Sequence, residues 1–110
     1  MNPLHRSAAT VLAFAAATSF AATGANAASA ARGRAMAKQE CVSCHAVEPG
    51  QQSPNPKAPT FVAIANEPSA TPYSLHVFLQ TTHTTMPNFV IQSDDIDDIV
   101  AYIGSLKQKP

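Results

Sequence analysis

Two cysteines and a histidine fall within five residues, Cys41-Val42-Ser43-Cys44-His45, and the chain has no other cysteine. The pattern is C-x-x-C-H. Two thiols three positions apart around a tight turn can add to the two vinyl groups of a haem. The next residue then offers an imidazole to the iron. The same residues admit three other chemistries. A thioredoxin-like pair needs strands and a helix around it, and the sequence shows no strand alternation. A structural zinc site needs four ligands, and there is no second cysteine pair or closely spaced histidine pair. A disulfide is ordinary in an exported chain, but it leaves His45 without a role. Haem attachment uses all three residues.

The elements that must position this pentapeptide are helices and loops. Ala31 to Glu40 holds good helix formers and no proline, so a helix is expected to run into Cys41. From Glu48 to Pro59 the chain carries Pro49, Gly50, Pro54, Pro56 and Pro59, which predicts an extended loop. Thr60 to Asn66 has room for about one helical turn. Thr71-Pro72 reads as a helix start, with Leu75, Phe78 and Leu79 on one face. Thr81 to Pro87 is polar and reads as a loop. Ser93 is expected to cap the last helix, whose stripe is Ile96, Ile99, Val100, Ile103 and Leu106. Asp94, Asp95, Asp97 and Asp98 lie in its first turns, with Lys107 and Lys109 at its end, the order that suits a helix dipole.

The first 27 residues have a different character. Arg6 is followed by a long uncharged, alanine-rich stretch, and Ala25-Asn26-Ala27 has small residues where a signal peptidase reads. The expected division is a leader over residues 1–27, which is removed, and one domain over 28–110. A cut after Ala30 fits the same rule, because Ala28-Ser29-Ala30 has the same form. The domain has 83 residues, a size at which a polypeptide core alone is marginal. Its placement is expected to be periplasmic. The formal net charge is zero, which argues against a nucleic-acid partner.

From Gly33 to Leu106, with a helix before Cys41, the chain resembles the small bacterial class I cytochromes c. The resemblance rests on the pentapeptide, the proline in Ala58-Pro59-Thr60-Phe61, the loop methionine in Thr85-Met86-Pro87, and a last helix with Val100-Ala101-Tyr102-Ile103. It implies an all-α fold of three to four helices and long loops around one covalently bound haem c. It implies that Met86 is the second axial ligand beside His45. His83 is the rival, through a bis-histidine haem, and His76 is a surface residue of its helix. Met36 is expected to fill a gap in the core. The backbone carbonyl of Pro59 is implied to accept the other ring N–H of His45. Leu75, Phe78 and Leu79 are implied to pack on the haem face near Met86, with Phe61, Ile64, Phe89 and Ile91 completing the wall. Gly33 and Tyr102 match the small and aromatic residues at which the first and last helices cross in the family. Ala37 stands where a second aromatic is often found.

Iron with two protein ligands has no open position for a substrate. The chain has no Ser-His-Asp set, no phosphate loop and no carboxylate pair placed as acid and base. A one-electron carrier is therefore expected rather than an enzyme. Its expected partners are protein donors and acceptors, membrane-bound complexes among them, with no small-molecule substrate and no second copy of the chain. Two other readings stay open: a haem subunit of a larger dehydrogenase or oxidase, and a ligand-binding haem sensor with a displaceable Met86. Of the basic residues after the leader (Arg32, Arg34, Lys38, Lys57, Lys107 and Lys109), most lie on the terminal helices, and only Lys57 is expected near the haem edge.

Overall fold

The computed structural model describes residues 27–109, so the expected leader lies outside the described residues except for Ala27. Four helices follow one another: α1 (Ala30–Glu40), α2 (Phe61–Asn66), α3 (Pro72–Gln80) and α4 (Ser93–Ser105). No strand occurs among the described residues. The fold class is all-α, as expected for a small cytochrome c.

The helix starts follow from local chemistry. Ser29 caps α1, its hydroxyl accepting the Arg32 backbone N–H. Thr60 does the same for α2 through Ala63. Thr71 and Ser74 form a reciprocal capping box on α3, and Pro72 occupies its first turn. The start of α4 differs from expectation. Gln92 occupies the cap position without a side-chain bond, and Ser93 is already helical. The aspartates of the first turn supply the negative charge that a helix start favours, so the missing cap is partly offset. The helix ends at Ser105, and the lysines lie beyond it.

The last helix is the hub, touching each of the other three. Its buried side chains include Ile96, Ile99, Tyr102 and Ile103. Ile99, Tyr102 and Ile103 join Ala37, Val47, Phe61 and Ala65 in one core cluster. Met36 packs against the edge of this cluster, as expected for a gap-filler.

The tightest junction is between α1 and α4. A Cβ at Gly33 would collide with the Asp98 carbonyl, so the two backbones meet there directly. The crossing of the first and last helices thus runs through Gly33, with Asp98 as the residue its backbone meets. Gly33 meets Asp98, and Ala37, fully buried one turn later, shares the core with Tyr102. A larger aromatic at 37 would have no room in a core packed to ordinary density.

Asp98 also carries a polar lock. Its buried carboxylate accepts from Arg32 Nε at 2.6 Å and Arg32 Nη2 at 2.9 Å, and from the Ser29 backbone N–H at 2.6 Å. The Arg32 guanidinium holds this carboxyl below the usual carboxylate range, and the Ser29 N–H adds to the effect.

Two glycine substitutions are expected to separate packing from propensity. Gly33→Ala forces the α1–α4 backbones apart and should cost on the order of 1–3 kcal/mol or more in denaturant unfolding. Gly104→Ala meets open space and should gain at most about 1 kcal/mol.

Candidate haem site

The pentapeptide begins where α1 stops. The Cys41 N–H still bonds back to Ala37, and the chain then tightens so that Cys44 and His45 both donate backbone N–H groups to the Cys41 carbonyl, at 3.2 and 2.9 Å. This turn brings Cys41, Cys44 and His45 together, all half-buried, with the two thiols unjoined. Burial pushes the Cys41 thiol up to about 11, and the charge of Glu40 adds to the shift. A redox dithiol works through a thiol with a depressed pKa, so this environment is the reverse of what that chemistry needs. Among the described residues, no three side chains of the His, Cys, Asp and Glu types cluster as a metal site, which leaves the zinc reading without support.

His45 is held from one side. Its Nδ1 lies 2.6 Å from the Pro59 carbonyl. A carbonyl only accepts, so Nδ1 carries the proton and Nε2 keeps the lone pair that a metal can use. The imidazole is 5.7 Å from the Phe61 ring, which is 6.2 Å from the Tyr102 ring, so a row of aromatics ties the histidine to α4.

The segment around His45 is pinned by hydrogen bonds that the sequence did not announce. Asn55 donates its backbone N–H to the Cys44 carbonyl at 3.2 Å. Ala46 donates to Ser53 Oγ, and Phe61 donates to the Ala46 carbonyl. The buried Tyr102 hydroxyl donates to the Val47 carbonyl at 2.6 Å. The proline-rich stretch thus folds back over the pentapeptide and delivers Pro59 to His45. Glu48, next in the chain, pairs with Arg34 of α1 at 2.8 Å.

The expected pocket wall is placed unevenly. Phe61 is buried, and Ile64, Leu75, Leu79 and Ile91 pack partly against the core. Phe78 and Phe89 remain exposed, at 49% and 40%. Helix α3 carries Leu75, Val77, Phe78 and Leu79, yet none of its residues is fully buried. That apolar surface is what a flat hydrophobic group such as a porphyrin would cover. Together with the two free thiols and the fixed imidazole, it makes the residues fit the group.

Met86 is half-buried in the loop between α3 and α4. The two other histidines of this region are engaged elsewhere. His76 Nδ1 lies 2.7 Å from Asp97, which ties α3 to α4, and the His83 ring stacks on Phe78 with centroids 3.7 Å apart. Neither contact had a signal in the sequence, because both depend on how α3 and its following loop lie in space.

Replacing Tyr102 by Phe removes the donor to Val47 while keeping the ring. It should cost about 1–3 kcal/mol in denaturant unfolding, because a buried carbonyl loses its partner.

Comparison with known proteins identifies the family. Residues 28–103 match the family model described as cytochrome c oxidase, cbb3-type, subunit III. The chain is 40% identical over 81 residues to cytochrome c-552 of Bradyrhizobium diazoefficiens, covering 74% of this chain and 78% of that protein. No solved structure matches. Haem c is accordingly the cofactor, and the chain belongs to the family of small monohaem c-type cytochromes.

Proposed function

We propose that the protein carries single electrons on a six-coordinate haem c, with Cys41 and Cys44 as the thioether anchors and His45 and Met86 as the axial ligands. The observation that carries this reading is the His45–Pro59 bond at 2.6 Å, which leaves Nε2 as the free ring nitrogen in the same turn as two free thiols. The bound haem would supply an iron that alternates between ferric and ferrous. The chain's own residues do the rest. His45 is orientated by Pro59, and the apolar side chains of α2 and α3 exclude water. A thioether at Met86 would stabilise the reduced state relative to a second imidazole. With both positions filled by protein, no substrate site remains, so a carrier is favoured over an enzyme.

Export to the periplasm, with removal of residues 1–27, belongs to the same reading, and among the described residues no helix is long and apolar enough to cross a membrane. A cut after Ala27 is favoured over one after Ala30. The later cut would remove Ser29, which caps α1 and donates to Asp98. Among the described residues, the earlier cut removes the Ala27 carbonyl that Arg32 Nη2 contacts at 3.0 Å, and that nitrogen keeps its bond to Asp98.

The partners on this reading are redox proteins. A second reading, a haem subunit of a larger oxidase, is favoured by the description of the matching family and would show as a stable complex in native extracts.

The ferric wild type should show the methionine–iron charge-transfer band at the red end of its spectrum. Met86→Ala should abolish the band, lower the reduction potential and open the iron to carbon monoxide in the ferrous state. A wild-type spectrum without the band refutes the Met86 assignment. Exposed charges here are few and balanced, so the rate of electron exchange with a partner should change little from low to moderate salt, and a steep fall would count against this docking mode.

A further inference from the structure

The loop from Thr81 to Gln92 carries Met86 but has almost nothing to hold it. Among the described residues, no hydrogen bond or ion pair involves residues 82–91. At the far end, Ile91 packs against the core. At the near end, everything converges on Phe78. Its carbonyl accepts both the Thr81 backbone N–H, at 3.2 Å, and the Thr81 hydroxyl, at 3.1 Å. Its ring carries the His83 imidazole, with centroids 3.7 Å apart and planes 22° apart. The His83 stack is the last fixed contact before Met86, three residues further on.

We propose that His83 is the positioning residue of the methionine loop: by stacking on Phe78 it sets where the chain leaves α3, and so where the Met86 sulfur is presented. This inference rests on the reading of Met86 as an axial ligand, and it gives His83 a role other than ligation. A face-stacked imidazole is committed to its neighbour through its whole ring plane. A loop of threonines without hydrogen bonds has many conformations of similar energy. Fixing one ring near its start removes much of that freedom, which lowers the cost of holding the thioether in one place. The contact is apolar and planar, so another flat ring can replace the imidazole.

The test compares holoprotein carrying His83→Ala or His83→Phe with the wild type. Two quantities are read: the intensity of the red charge-transfer band, and the affinity of the ferric protein for added imidazole, which binds only when methionine leaves. His83→Ala should weaken the band and tighten imidazole binding about twofold to tenfold, the range expected when one aromatic pair is lost. His83→Phe should restore both readings, which a merely destabilised variant would not do. The proposal is overturned if His83→Ala matches the wild type. It is also overturned if both variants lose the low-spin spectrum, since His83 would then be the ligand. A wild type that lacks the band brings down the Met86 assignment itself, and this is seen before any variant is made.

Discussion

The close approach of α1 and α4 at Gly33 and Asp98 governs the rest of the molecule. Only a residue without a side chain lets the two backbones meet there, and the meeting point fixes the direction of α1. Because α1 runs straight into Cys41, its direction also decides where the pentapeptide turns. The Asp98 carboxylate strengthens the same junction by collecting Arg32 and the Ser29 N–H on the buried side of α4. Packing and charge thus converge on one turn of helix, some distance along the chain from the chemistry they support.

From that junction α4 organises the site by a relay of contacts. Tyr102 reaches the Val47 carbonyl with its hydroxyl and the Phe61 ring with its own ring, and Phe61 stands beside His45. The residues that hold the histidine are thus spread over the chain, and the proline-rich loop joins them. Proline suits this task because it limits the conformations of the unfolded loop and lowers the entropy lost when the loop closes over the pentapeptide.

Much of this was legible in the sequence, for reasons that differ by element. Thr71-Pro72 marks its own helix start because capping is a local interaction, settled within four residues. The pentapeptide is legible because covalent attachment fixes both residue type and spacing. The start of α4 was misplaced by one residue, since Ser93 is a good cap by type, yet Gln92 takes the position. The α1–α4 crossing at Gly33 follows from the family resemblance, but its backbone contact with Asp98 does not, because the resemblance names the residues of a crossing and not the atoms that meet there. The Asp98 lock, the Tyr102–Val47 bond and the His83 stack were not readable, since each joins groups brought together only by the tertiary fold.

The two sides of the site are unequally stiff. On the histidine side the acceptor is a main-chain carbonyl in a loop of prolines, tied down by several further bonds. On the methionine side the chain hangs between one ring stack and Ile91, which packs against the edge of the core. When such a molecule is deformed by heat, by denaturant or by a partner pressing on it, the strain is released where the restoring forces are weakest. On the proposed ligation, the methionine side would yield first, while the cysteine and histidine attachment would stay intact.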